Sequence, residues 1–170
     1  MRIAQQVAGG ETVVNMFAGG VDCFSLIMVK HSNPSRVYSI DVNPAAAHSM
    51  RENTRLNEAY GVVVPILGDP KKIVEQRLHG IADRVLMPLP EKAFEYLPCA
   101  LLALKKTGGL VHYYDFKHAK KDASPVEKVR TKLTKRLEGW GVAFDFSFGR
   151  VARPTGPNWY QVVLDISVKH

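Results

Sequence analysis

The 170-residue sequence is poor in several features, and each shortage excludes a class of protein. Its two cysteines, Cys23 and Cys99, lie far apart without CxxC spacing, which removes a disulfide framework and a cysteine-based zinc site and fits a reducing, cytoplasmic setting. No apolar run approaches the roughly 20 residues that a membrane-spanning helix needs. The first residues carry one arginine and then Gln5 and Gln6, without the apolar stretch of a signal peptide. His31, His48, His79, His112, His118 and His170 show no metal-ligand spacing, and no serine sits in a GxSxG elbow, so metal-site and hydrolase readings have no support. Internal repeats and low-complexity linkers are absent as well.

What is present is an ordinary globular composition, 46% hydrophobic and 23% charged, at a length that suits one domain over residues 1–170. The 23 basic against 16 acidic residues give a net charge of +7. That excess is local. Residues 1–104 hold ten basic and ten acidic side chains, whereas residues 105–170 hold thirteen and six.

Short β-branched or aromatic runs alternate with longer amphipathic stretches, the pattern of successive βα units. Strands are expected at Thr12–Ala18, Arg36–Asp41, Val62–Leu67, Asp83–Met87 and Leu110–Phe116, the third buried on both faces because it is apolar throughout. Helices are expected from Asp22 to about Lys30, from Pro44 through Asn57, over Lys71–Leu78 and Lys92–Lys105, and from Pro125 to Glu138. Pro88 and Pro90 exclude helix and end the fourth strand, and Gly108-Gly109 breaks the helix after it. Ala143–Val151 and Trp159–Val168 read as a final strand pair joined by a loop over Arg153–Asn158. The fold class is therefore α/β: a Rossmann-like, doubly wound seven-stranded sheet, mostly parallel with an antiparallel C-terminal strand.

Ligands of such sheets bind at the carboxyl ends of the strands. Those ends carry Ala18-Gly19-Gly20, Asp41-Val42-Asn43, Gly68-Asp69-Pro70 and Pro88-Leu89-Pro90. The small-residue loop lets a ligand reach backbone N–H groups, although a glycine pair also makes a plain tight turn. Asp41 can accept hydrogen bonds from ribose hydroxyls or cap the following helix. Asp69 can receive an adenine amino group or form an ordinary Asp-Pro turn. Nicotinamide-binding sheets usually continue parallel, so the closing hairpin favours an S-adenosylmethionine site.

The blocks Val13–Ser25 (VVNMFAGGVDCFS), Arg36–Asn57 (RVYSIDVNPAAAHSMRENTRLN), Val62–Asp69 (VVVPILGD), Asp83–Pro90 (DRVLMPLP) and Gly109–Phe116 (GLVHYYDF) resemble the class I methyltransferase domain of archaeal and eukaryotic tRNA (guanine-37-N1)-methyltransferases. The related aminocarboxypropyl transferases of wybutosine synthesis share much of this pattern. The resemblance implies methyl transfer from S-adenosyl-L-methionine to N1 of guanosine beside the anticodon of tRNA. It implies that Phe17, Ala18, Gly19 and Gly20 hold the methionine part, Asp41 with Val42 and Asn43 the ribose, and Asp69 with Pro70 the adenine side. Pro88, Leu89 and Pro90 would frame the target base. It further implies RNA-binding segments and a catalytic acid just upstream of the first strand, which the resemblance places before Met1.

Three positions depart from the family pattern. Asn15 stands for an Asp, Val21 for a Gly and Pro88 for the Asn of an Asn-Leu-Pro tripeptide. These keep open a catalytically weakened fold that binds RNA or a partner, and aminocarboxypropyl transfer stays open too. Residues 117–136 hold eight basic side chains, of which Lys128, Lys132, Lys135 and Arg136 recur at helical spacing and predict a phosphate-attracting face, or else a solvated one. Arg150, Arg153 and Trp159 flank the last loop, where Trp159 reads as a packing residue and the arginines as further contacts. His112 reads as a structural strand residue.

Overall fold

A computed structural model of the chain describes residues 2–19 and 23–169, so Gly20, Val21 and the helix start expected at Asp22 lie outside the described residues. The strands are β1 (Thr12–Met16), β2 (Arg36–Asp41), β3 (Val63–Leu67), β4 (Arg84–Met87), β5 (Gly108–His118), β6 (Ala143–Gly156) and β7 (Trp159–Lys169). They form one sheet in the order β3-β2-β1-β4-β5-β7-β6. β1 to β5 run parallel, and β7 is antiparallel to both β5 and β6. Chain order reverses between β1 and β4, which puts the switch point beside the loop after β1.

Helices cover both faces because neighbouring strand residues point to opposite sides. Val14, Met16, Val85, Met87, Val111 and Tyr113 pack with Leu97 and Ala100 of α5 (Pro90–Ala103) and Leu133 and Leu137 of α6 (Pro125–Gly139). On the other face, Val13, Val37 and Leu86 pack with Ile3 of α1 (Arg2–Gln6) and Met28 of α2 (Cys23–His31). α3 (Pro44–Leu56) starts as expected, with Asn43 as N-cap and Pro44 in the first turn. The Lys71–Leu78 segment divides into α4 (Pro70–Ile73) and a π-helical turn, Val74–Leu78.

Four expectations need correction. β3 is not buried on both faces: only Val63 and Ile66 are buried, since the strand lies at the sheet edge, where Pro65 removes no needed ladder donor. Pro90 does not exclude helix but opens α5, because the N–H it lacks has no intrahelical partner at that position. Gly108 and Gly109 do not lie between elements but begin β5, where a Cβ would collide with the Val168 carbonyl oxygen at Gly108 and come within 2.5 Å of the Asp83 carbonyl oxygen at Gly109. The Arg153–Asn158 loop is mostly strand. Register shifts around Val151/Arg153 and Pro154/Gly156 accommodate Pro154 in an edge strand, leaving Pro157 and Asn158 as the turn, with Asn158 at φ 59°.

α1 has no counterpart in the sequence reading, and a buried charge cluster lies beneath it. Arg2 pairs with Asp165 at 2.5 and 3.1 Å, and Asp165 contacts His112 Nδ1 at 2.7 Å. Arg84 lies 2.8 Å from His112 Nε2 and also donates to Glu11 and to the Gln6 carbonyl. A guanidinium can only donate, so Nε2 accepts, Nδ1–H donates to Asp165, and the imidazole is neutral. Two arginines then balance two carboxylates. Burial pushes the His112 imidazole below its ordinary value, Arg84 and Arg2 add to this, and together they outweigh the pull of Asp165. Burial works against ionisation of Asp165, but hydrogen bonds from His112 and Arg2 prevail and hold its carboxyl well below the usual range. His112 is structural, as its sequence context suggested.

Candidate active site at the carboxyl ends of the parallel strands

The ends of β1, β2 and β3 are joined by a ring of contacts that centres on two carboxylates. After β1 the chain turns through Phe17 at φ 54° and Gly19 at φ 77°, and Ala18 N–H donates to the Ile40 carbonyl at 2.9 Å. Left-handed geometry at Gly19 favours glycine, and the space where its Cβ would lie is open. Asp41, 9% exposed, accepts from Gly19 N–H through Oδ2 at 3.0 Å and from Asn43 N–H through Oδ1 at 2.9 Å. Its backbone carbonyl takes the Gly68 N–H at 2.9 Å, so the loop after β3 is tied to the end of β2.

Asp69 then caps α4, its Oδ1 accepting from Lys71 N–H at 2.9 Å and from the Tyr96 hydroxyl at 3.3 Å. The Tyr96 ring meets Phe17 edge to face at 4.8 Å, which closes the ring back onto the first loop, and Lys71 Nζ lies 4.7 Å from its centroid. Burial pushes the Tyr96 hydroxyl above its ordinary value and the Asp69 charge adds to it, so the group stays a donor. Sequence reasoning missed Tyr96. Its signal was a tyrosine in the apolar stripe Ala93, Tyr96, Leu97, Ala100 of α5, where a phenol needs a polar partner.

Asp41 does not cap the following helix, whose N-cap is Asn43, but ties the Gly19 and Asn43 backbones at the end of β2, whereas Asp69 makes the expected turn before Pro70 and caps α4. A carboxylate oxygen has two acceptor positions, so both oxygens of Asp41 retain capacity for hydroxyl donors. Val42 and Leu67 expose 53% and 42% of their surface at the ends of β2 and β3, an apolar setting beside the acids. Acceptors for a diol and an amino group, a Cβ-free turn and flanking aliphatic side chains together fit a nucleoside-bearing cofactor.

Pro88, Leu89 and Pro90 follow β4, all half-buried, and Leu89 is the N-cap of α5 without a side-chain cap bond. Four residues into that helix, Phe94 receives Lys132 Nζ at 4.2 Å and the Arg136 guanidinium at 4.6 Å, which brings α6 against the same end of the sheet. The four basic residues on α6 differ in state. Lys132 is paired with Asp115 at 2.9 Å, Arg136 lies over Phe94 and Trp140, Lys128 donates to the His118 carbonyl at 3.4 Å, and Lys135 is exposed. Asn15 is fully buried, its amide donating to Ser25 Oγ at 3.1 Å, and Ser25 shares a 2.7 Å hydrogen bond with Ser39. Cys99 is buried under the Pro70 carbonyl, its thiol pushed up to about 12 by burial first and by Asp69 and Glu75 next, so it is no nucleophile. Among the described residues no helix is long and apolar enough to cross a membrane, and no group of His, Cys, Asp and Glu could hold a metal ion.

Comparison with known proteins places the chain in a family. Residues 1–140 match the TRM5/TYW2 methyltransferase domain. The chain is 39% identical over 168 residues to a tRNA 4-demethylwyosine(37)-methyltransferase, Taw21, of Saccharolobus solfataricus, covering 98% of this chain and 58% of the relative. It is 34% identical to the tRNA (guanine(37)-N(1))-methyltransferase Trm5b of Pyrococcus abyssi, covering 99% of this chain and 47% of that protein. The chain thus spans about half the length of these curated relatives. Among solved structures, that of M. jannaschii TYW2 in complex with AdoMet superposes with a TM-score of 0.85 at 32% identity, over 99% of this chain and 73% of the other. The fold and these likenesses agree, and the chain belongs to the TRM5/TYW2 methyltransferase-domain family.

Proposed function

We propose that this protein transfers the methyl group of S-adenosyl-L-methionine to N1 of the guanosine at position 37 of tRNA. The ring of contacts that presents Asp41 and Asp69 carries this reading. In it Asp41 accepts the ribose hydroxyls, Asp69 and Pro70 border the adenine, and Phe17 to Gly20 hold the methionine part. When bound, the cofactor supplies an electrophilic methyl group on a sulfonium sulfur. The chain's own work is positioning: Pro88, Leu89 and Pro90 form a stiff wall for a base turned out of its stack, and correct placement can supply much of the rate. Lys128, Lys132, Lys135 and Arg136 lie along α6, where phosphates of the tRNA would meet them. AdoMet in the M. jannaschii TYW2 structure and the tRNA reactions named for both relatives support the cofactor and the substrate class.

Pro88 favours a second reading within the same chemistry. Proline has no side-chain amide to hold the Watson–Crick edge of an unmodified guanine, so the acceptor can instead be a 4-demethylwyosine base at position 37, as in the name of the 39% identical relative. Incubation with methyl-labelled cofactor and either unmodified tRNA or tRNA bearing that tricyclic base, followed by nucleoside mass analysis, tests both. Label on guanosine N1 supports the first reading, and label only on the tricyclic base supports the second. A mass gain of an aminocarboxypropyl group would replace both. Saturable cofactor binding with no transfer to either tRNA would leave a binding module and overturn the enzyme reading.

A further inference from the structure

The sheet face opposite α6 carries a set of side chains that the site does not use. Alternate residues of β5 share this face, and register places each beside a β7 partner: His112 by Asp165, Tyr114 by Val163, Phe116 by Gln161 and His118 by Trp159. β6 adds Phe148 opposite Asp165, Arg150 opposite Val163 and Arg153 opposite Gln161. At the inner end α1 closes the face, where Arg2 reaches Asp165 and lies 4.0 Å from the Phe148 centroid. Toward the carboxyl end of β5 the cover ends. Tyr114 and Phe116 are half-buried, while His118, Arg150 and Arg153 are exposed and Trp159 keeps 48% of its surface open.

The outer half is ordered rather than ragged. Trp159 and His118 meet edge to face at 5.2 Å, and Arg153 Nε donates to Gln161 Oε1 at 2.8 Å, which holds its guanidinium along the sheet. Gly156 pairs with Trp159 across the hairpin, so no β6 side chain stands beside the indole. A packing role, the reading its sequence context suggested for Trp159, does not call for an indole left half open. The face lies at the same end of the sheet as Asp41, Asp69 and Pro88, because β5 runs parallel to β1 and β4.

We propose that this outer face is a platform for unpaired nucleotides of the RNA, with bases stacking on Trp159, His118 and Phe116 and phosphates meeting Arg150 and Arg153. Every base has a π-face, so aromatic side chains flanked by cations bind single strands with little sequence preference. Charge complementarity selects the occupant. Among the described residues, no acidic side chain stands exposed on this outer face, and an acidic or apolar protein segment would leave the aromatic and arginine columns unequally used. The proposal rests on the tRNA reading above and extends it from the basic helix α6 on the opposite side of the sheet to the hairpin.

The test uses the whole chain carrying Trp140→Phe, which leaves Trp159 as the only tryptophan. A single-stranded oligouridylate should quench its emission saturably, and a duplex of equal length should compete weakly. Trp159→Ala should weaken binding of the strand, followed by a labelled 5′ end, about 5- to 150-fold, the range for loss of one stacked base, while Trp159→Phe should retain most of it. Arg150→Glu with Arg153→Glu should lower the slope of log affinity against log salt by about 1.4. Cofactor affinity, read by calorimetry, should stay constant in all three variants and so report an intact fold. Absence of quenching, equal competition by duplex, or Trp159→Ala binding as tightly as the parent would overturn the platform. Failure of methyl transfer with quenching intact would overturn only the enzymatic reading.

Discussion

Asp41 is the residue on which fold and proposed chemistry meet, and Asp41→Asn separates the two. The carboxylate now accepts from Gly19 and Asn43 through different oxygens, at 3.0 and 2.9 Å. An amide has one acceptor oxygen, so whichever way the substituted side chain turns, one backbone N–H faces an NH2 group. An unmet buried donor costs about 1–3 kcal/mol. For a domain of this size that lowers Tm by about 2–12 °C. If the same carboxylate also binds a ribose diol, loss of a charge-assisted hydrogen bond removes a further 1.5–3 kcal/mol or so from cofactor affinity, a rise in Kd of about 10- to 150-fold.

Calorimetry with two ligands tells these apart. Adenosine carries the ribose but no methionine, whereas S-adenosylmethionine also engages the loop that Gly19 belongs to. Direct ribose binding predicts that Asp41→Asn weakens both ligands by a similar factor. An effect through the Gly19 loop predicts loss for S-adenosylmethionine alone. Unchanged adenosine affinity, measured at a temperature where the variant is folded, would refute the ribose assignment and leave Asp41 as a tie between loops.

Other outcomes follow from the same contacts. Because His112 titrates below its ordinary value in the fold, its contribution to stability is complete above about pH 6.5 and is lost as pH falls through the lowered value, at up to about 1.4 kcal/mol per pH unit for one proton. Thermal melts should therefore fall between pH 7 and pH 5, and a flat profile there would contradict the neutral imidazole. Asp165→Ala leaves Arg2 and His112 without their shared acceptor and should cost about 3–5 kcal/mol in denaturant unfolding. Gly109→Ala should destabilise by about 1–3 kcal/mol, since its methyl would meet the Asp83 carbonyl oxygen at 2.5 Å and Leu104 at 2.8 Å; a neutral result would mean that β5 shifts without strain. Lys135→Ala should reduce the salt slope of RNA binding by about 0.7–0.9 at constant Tm, whereas Lys132→Ala, which unpairs Asp115, should lower Tm as well.

The parallel half of the sheet was legible because its signals are local. β-branched runs, the Asn43-Pro44 and Ser124-Pro125 starts, and acids placed at strand ends each act within a few residues. Apart from Pro90, misread locally as a helix breaker where it opens α5, the errors arise where a distant partner decides. Gly108 and Gly109 look like helix breakers until Val168 and Asp83 are seen to approach their backbones. A continuous apolar β3 looks central until the strand order puts it at the edge. α1 is five residues long and too short to signal itself; it is held by Ile3 and Ala4 in the core and by Arg2 on Asp165, 163 positions away.

The same distinction sharpens the charge pattern. In the sequence, the basic excess of residues 105–170 points to one helix, yet helical spacing records which side chains share a face and not what faces them. Lys132 is paired with Asp115 from β5, and Arg136 is laid over Phe94 from α5. Both are anchored by neighbours distant in sequence, and their charge serves packing together with any phosphate. Arg150 and Arg153, separated by one bulge and exposed along β6, share a sheet face with aromatic side chains from two other strands. Spacing within a helix therefore singles out Lys135 as an exposed cation, while the surface proposed for nucleotides depends on strand register, which brings His118 and Trp159 together from 41 positions apart and which no local pattern contains.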